Sequence, residues 1–182
     1  MMYMKAQFWS FDVIFAMVIF GTALVLLTFV WFSVSTQFSL ASGYGIEELQ
    51  AQLQLLQSRI LSTGTPSDWA SLVNITNPST WQNMSIGLGT GNGNRISMGK
   101  VMALMALANY NTTTYQASKQ MLGISFDYFI IIESSAFNIT IGRNPSQYKA
   151  VAVQVAKMPV VLQGIAANMQ VEVWTNTTFG VG

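Results

Sequence analysis

The segment KAQFWSFDVIFAMVIFGTALVLLTFVWF, Lys5 to Phe32, decides the architecture, because nothing in it reads as the surface of a water-soluble helix. Its charges are Lys5 and Asp12, and from Val13 to Phe38 there is no charged residue. The interruptions in that run are Gly21, Thr22, Thr28, Ser33, Ser35, Thr36 and Gln37. As a helix it extends about 39 Å, enough to cross about 30 Å of bilayer hydrocarbon at a tilt. A cleaved secretory signal has a shorter apolar region, of about 7 to 15 residues, closed by a small-residue cleavage site. Lys5 is the sole basic residue before the run, and the next is Arg59. That asymmetry predicts a cytoplasmic N-terminus, a membrane-embedded segment over 11–40, and an extracellular remainder.

Composition removes several function classes. The chain has 182 residues, eight basic and seven acidic, with net charge +1 and neither Cys nor His. Disulfides, thiolate nucleophiles and Cys-based metal sites are therefore absent, as are the commonest general base and metal ligand. Eight scattered Lys and Arg make no patch for nucleic acid. We expect no enzyme, no catalytic residues, no cofactor and no metal. A hydrolase would have to work with Asp68, Asp127, Glu133 or Glu172, and the spacing pairs none of them.

Downstream of the apolar run, Ser42–Gly45 is a candidate kink. IEELQAQLQLLQSRIL then places Ile46, Leu49, Leu53, Leu56 and Ile60 on one helical face, with Glu47 and Glu48 in the first turn and Arg59 in the last. Gly64 and Pro66 stop it, so 7–62 reads as one long helix. The domain 63–182 opens with a loop-rich stretch whose glycines, Gly87 to Gly93, lack a phosphate-loop pattern and read as a flexible turn. Ser97 is the expected N-cap of a helix over MGKVMALMALANY, with Val101, Leu104, Met105 and Ala108 inward, and a short helix is expected over Thr114–Leu122, closed by Gly123. From Ile124 the pattern changes to β-branched and aromatic runs. Short linkers predict an antiparallel meander over 124–174, with Pro159 at a bulge, bend or edge and the heavier Val151, Val153, Val155 face of its strand set against Ala152, Gln154, Ala156. The helix Ile46–Leu61 is the expected cover of the sheet. The fold class is α+β: a long N-terminal hydrophobic helix packed on a C-terminal antiparallel sheet.

Five Asn-x-Ser/Thr acceptors lie at Asn74, Asn83, Asn111, Asn138 and Asn176, whereas Asn77 and Asn144 are each followed by proline. N-glycans on a surface-exposed domain are the expectation.

A long helix, membrane-embedded at first and then laid on an antiparallel sheet, resembles a type IV pilin. Lys5-Ala6-Gln7 resembles the class III signal of archaeal pilins, a short leader (1–6) ending in a small residue. PSDW (Pro66–Trp69), GKVMALMALANY, LGISFDYFIII and MQVEVW are also similar to archaeal pilin-like surface proteins. The resemblance implies cleavage between Ala6 and Gln7 by a prepilin peptidase, handling by a pilus assembly machinery, and a helical homopolymer of the chain itself. It further implies that Asp12 sets axial register against the N-terminal amine of a neighbouring copy. The family places that acid fifth in the mature chain; counted from Gln7 the fifth residue here is Phe11 and Asp12 is sixth. The expected function is thus a structural filament subunit. The alternative is a membrane-anchored extracellular domain or minor pilin that never polymerises and acts as an adhesin or binding module.

Overall fold

The helix α1 runs Lys5–Leu61 and is followed by α2 (Trp69–Leu72), a single 3-10 turn (Pro78–Trp81), β1 (Arg95–Ile96), α3 (Met98–Tyr110), α4 (Thr112–Leu122) and strands β2 (Asp127–Glu133), β3 (Asn138–Gly142), β4 (Ala152–Leu162) and β5 (Ile165–Thr175). These elements come from a computed structural model that describes residues 5–81 and 83–177, with side chains described from Phe11 onward except at 34–44, 78 and 79. The chain divides into two units, Met1–Tyr44 and Gly45–Gly182. The architecture is α+β, with an apolar N-terminal helix and a five-stranded mixed sheet.

The helical backbone continues through Ser42–Gly45, where the sequence predicts a kink. Glu47 and Glu48 therefore lie in mid-helix, and an N-terminal dipole does not explain them. Leu49, Leu53, Leu56 and Ile60 are buried at spacings of four and three, the period of one helix face. Ile46, expected on the same face, is 45% exposed; Gly45, four residues before Leu49, holds the inward position instead.

The end of α1 is closed by the glycine run. Ile60 carbonyl accepts from the N–H of Leu88 at 2.7 Å, Ser62 carbonyl accepts from Gly89 at 2.8 Å, and Trp69 Nε1 donates to Gly87 carbonyl at 2.8 Å. A Cβ on Gly87 would overlap Ser62 carbonyl, and one on Gly89 would overlap Leu61 carbonyl. The expectation of a flexible turn is thus corrected for Gly87 and Gly89, which are buried docking positions; Gly91 and Gly93, at φ 89° and 61°, do form a turn. Lys100 Nζ completes the junction by donating to Thr63 carbonyl at 2.7 Å and Gly89 carbonyl at 3.0 Å.

Ser97 precedes α3 as expected, although its side chain makes no capping bond, and the buried face is Val101, Leu104, Leu107 and Ala108, with Leu107 in the place expected for Met105. The next helix begins two residues earlier than expected. Asn111 caps it by accepting from Thr114 N–H at 2.8 Å while Thr114 Oγ1 accepts from Asn111 N–H at 3.2 Å, a reciprocal box that fixes the start. Gly123, at φ 74°, closes it in the left-handed conformation.

The sheet order is β1-β4-β5-β2-β3, so the expected meander is not formed. Hairpins β2–β3 and β4–β5 meet through antiparallel β2 and β5, and the chain passes from one edge strand, β3, across to β4. The sheet is also not wholly antiparallel, since β1 pairs with Val161 and Leu162 of β4 in parallel. Gln163 and Gly164, at φ 53° and 83°, form the two-residue turn between β4 and β5 with the handedness that such hairpins require. Pro159 sits opposite Asn168 with the register unbroken on either side, so the strand carries no bulge there. Its carbonyl accepts from Asn94 Nδ2 at 3.0 Å on the side away from β5, where a missing N–H costs no ladder bond.

One face of the sheet joins the core through Tyr128, Ile130, Ile132, Ile141, Met169 and Val171. Its cover is shared: Leu49, Leu53, Leu56 and Ile60 of α1, Val101, Leu104 and Leu107 of α3, and Tyr115 and Leu122 of α4 belong to the same buried cluster. Along β4 the inward face is Ala156, Met158, Val160 and Leu162, whereas Val151, Val153 and Val155 are 57%, 39% and 46% exposed. The strand's heavier face therefore points outward, because Ala156 and Met158 stand opposite the buried Val171 and Met169 of β5 and must share their side.

Leu56→Ala should destabilise the 45–182 unit by about 2–5 kcal/mol through the cavity it leaves, while the neighbouring Leu55→Ala, at a position 36% exposed, should cost less than about 1 kcal/mol. Urea denaturation of the full chain in detergent, followed by tryptophan fluorescence, distinguishes the two; equal effects would contradict the buried stripe.

Candidate functional site

The residues singled out by the sequence lie apart from one another. The backbone of Ala6 and Gln7 is within α1, and their side chains lie outside the described ones. From Phe11 to Ser33 the helix has mean hydropathy 2.7 and none of it is buried within the chain. Trp31 and Phe32 are the most exposed of its large apolar side chains, at 76% and 73%. Thr22 and Thr28 donate their hydroxyls to the carbonyls of Val18 and Leu24, each at 2.7 Å, which hides the polar groups such a surface would otherwise present. Asp12 is exposed and lies seven residues after Lys5, the first described residue of α1.

All five sequon asparagines are exposed. Asn74 Oδ1 accepts from Thr76 N–H and Oγ1, Asn83 has left-handed backbone at φ 62°, Asn111 caps α4, Asn138 opens β3 and Asn176 follows β5. The candidate acids are separately engaged or separately placed. Asp127 pairs with Lys119 at 3.2 Å, Glu172 accepts from Gln170 Nε2, Glu133 is exposed opposite Asn138 and Asn168, and Asp68 is exposed before α2.

What the sequence did not single out is a cleft of about 440 Å³ between the α3–α4 junction and the chain leaving β3. Its frame follows from unpaired strand-edge groups. Asn109, near the end of α3, accepts from Gly142 N–H at 3.0 Å and donates to Thr140 carbonyl at 3.3 Å, standing in for a neighbouring strand on the open edge of β3. The Tyr115 hydroxyl does the same for β2 by accepting from Tyr128 N–H at 3.0 Å. Gly142, at φ 91°, passes so close to Tyr128 carbonyl that any Cβ would overlap it.

The next residue is Arg143. Its N–H donates to Tyr128 carbonyl at 3.0 Å and its carbonyl accepts from Trp174 Nε1 at 2.9 Å, so the backbone is held on both sides. The guanidinium donates to Thr112 Oγ1 at 3.2 Å and lies 4.3 Å from the Tyr115 ring centroid and 5.3 Å from that of Tyr148. Tyr115 stacks on Tyr128 at 5.3 Å, and Tyr148 packs on Trp174 at 5.8 Å. Arg143 is thereby inserted into a series of four aromatic rings. It is the one charged residue among those lining the cleft, and among the described residues no carboxylate pairs with it. Compared with protein-family models, characterised protein sequences and solved structures, the chain gives no match.

Two hydroxyls behind Arg143 are strongly perturbed. Burial pushes the Tyr128 phenol well above its ordinary 10.0, against a hydrogen bond with Ser118 Oγ at 2.7 Å that pulls it down. Burial likewise raises Tyr115, against its bond with the Tyr128 backbone and with Asp127 raising it further. Burial also lowers Lys100, which Asp68 partly offsets.

A phenol whose folded-state pKa is raised is deprotonated first in the unfolded chain. Its stabilising contribution is complete below pH 10 and is lost as the pH climbs above that value. Two of the six tyrosines should then ionise only together with loss of the native circular dichroism. Tyrosinate absorbance during an alkaline titration tests this, and reversible ionisation of all six with the fold intact would contradict it.

Proposed function

We propose that the chain is a structural subunit of a surface filament of the archaeal type IV pilus kind, held in the membrane by α1 before assembly and packed helix-inward in the fibre. The observation that carries this reading is the segment Phe11–Ser33, strongly apolar on average, uncharged after Asp12 and without burial in its own chain. Such a surface needs a non-aqueous neighbour, which a bilayer supplies first and other copies of the same helix supply afterwards. The C-terminal part of the same helix meets its need differently, through Leu49, Leu53, Leu56 and Ile60 in the core of the 45–182 unit. A continuous helix with one bare and one domain-buried stretch, carried by an α+β domain, supports a pilin-like fold.

On this reading the leader 1–6 is removed between Ala6 and Gln7 by a prepilin peptidase, and the assembly machinery draws the mature subunit from the plasma membrane. The 45–182 unit faces the outside with glycans at some of Asn74, Asn83, Asn111, Asn138 and Asn176. Asp12 costs about 2.5–3.5 kcal/mol at mid-bilayer, and less near the interface. Pairing with the N-terminal amine of a neighbouring copy would offset that cost and set axial register. The cleft at Arg143 favours a second role for the domain, that of a binding module.

Mass spectrometry of the sheared surface fraction should find a chain beginning at Gln7. A chain beginning at Met1, with no fibres in the fraction, would leave a membrane-anchored extracellular domain. Asp12→Ala should lower filament yield about tenfold or more, as expected for losing a desolvated charge pair, with the amount of subunit in the membrane unchanged. Wild-type yield and fibre length in that variant would overturn the register role.

A further inference from the structure

We propose that the cleft around Arg143 binds the carboxylate of an acidic saccharide, a function independent of whether the chain polymerises. Arg143 is the sole ionised group in the lining and has no carboxylate partner among the described residues. A guanidinium has five N–H donors, and the contacts of this one engage a single protein acceptor, Thr112 Oγ1. Tyr115 and Tyr148 flank the guanidinium, so its position is set before any ligand arrives.

The rest of the lining selects the kind of anion. The opening turn of α4 lies beside Arg143, and Asn111 occupies the N–H of Thr114 but not those of Thr112 and Thr113, which have no acceptor within the helix. Asn144 uses its Oδ1 on Ser146 N–H at 3.0 Å, which leaves its amide donors for a ligand, and the exposed Gln147 adds a further amide. Tyr148, 45% exposed, offers a ring edge to a sugar's C–H groups. One cation matches a monoanionic carboxylate better than a phosphate dianion. Neutral amides and hydroxyls around a tyrosine suit a polyhydroxylated ring better than an apolar acid. The volume of the cleft falls in the range that accommodates small ligands.

The test uses the full chain in detergent micelles, produced in a host without N-glycosylation so that Asn111 is unmodified, with D-glucuronate as probe and D-glucose and acetate as controls. Saturation-transfer NMR should show glucuronate binding at least about tenfold more tightly than glucose or acetate, with affinity falling as salt is raised. Arg143→Gln should abolish the preference for glucuronate over glucose, and Arg143→Lys should restore it only in part, because an ammonium lacks the planar fork. Tyr148→Ala, at an exposed position, should weaken glucuronate at least threefold while leaving far-ultraviolet circular dichroism unchanged. Equal binding of glucose and glucuronate, or of acetate and glucuronate, would overturn the proposal on the wild-type chain alone. So would wild-type affinity in both Arg143→Gln and Tyr148→Ala.

Discussion

The end of α1 is buried, and its last carbonyls must be bonded there or the helix could not enter the core at all. The bonds come from Leu88 and Gly89, whose backbone reaches the carbonyls of Ile60 and Ser62. Only residues without a Cβ fit that approach, since Gly87 and Gly89 would each collide with the chain they dock on. Once that segment is fixed, its continuation is fixed as well. Arg95–Ile96 is delivered alongside β4, Ser97 starts α3, and Lys100 returns to the same carbonyl cluster. The junction is what ties the helix to the sheet.

The two stretches of α1 solve opposite solvation problems with one backbone geometry. From Leu49 to Ile60 the buried residues Leu49, Leu53, Leu56 and Ile60 fall on one face and Gln50, Gln54 and Arg59 take the other, which suits a helix lying at a water boundary. From Val13 to Phe32 there is no polar face, and the hydroxyls of Thr22 and Thr28 are folded back onto the helix. A helix of this second kind is stable where water is absent.

The cleft arises from the way sheet edges are closed. The edge of β3 and the neighbouring part of β2 are covered by side chains of α3 and α4, Asn109 and Tyr115, instead of by another strand. Side-chain closure leaves space that a strand would fill, and Arg143 stands in it with its backbone anchored and no carboxylate paired with it among the described residues. The raised phenols of Tyr115 and Tyr128 and the position of Arg143 share a cause, which is the dense packing of this corner.

Much of the fold was legible in the sequence because it rests on local periodicity. The apolar run, the stripe through Leu49 and Ile60, the helices closed by Gly123 and preceded by Ser97, and the β-branched runs after Ile124 each carry their signal within a few residues. The strand order was not legible, since pairing β2 with β5 depends on partners some forty residues apart. Nor was the inward face of β4, where Val153 and Val155 outweigh Ala156 yet lie outside, because register with Val171 and Met169 decides the matter. The docking of Gly87 and Gly89 read as a turn, because close approach leaves no mark in the sequence beyond the glycine itself. Arg143, Tyr115 and Tyr148 were passed over for the same reason: separated along the chain, they become one site only when the strand edges are closed. The sequence by itself determined which segments are helix or strand and which stretch must leave water. The tertiary structure alone decided which faces meet and which residues gather around Arg143, because those depend on distances between residues that no local pattern encodes.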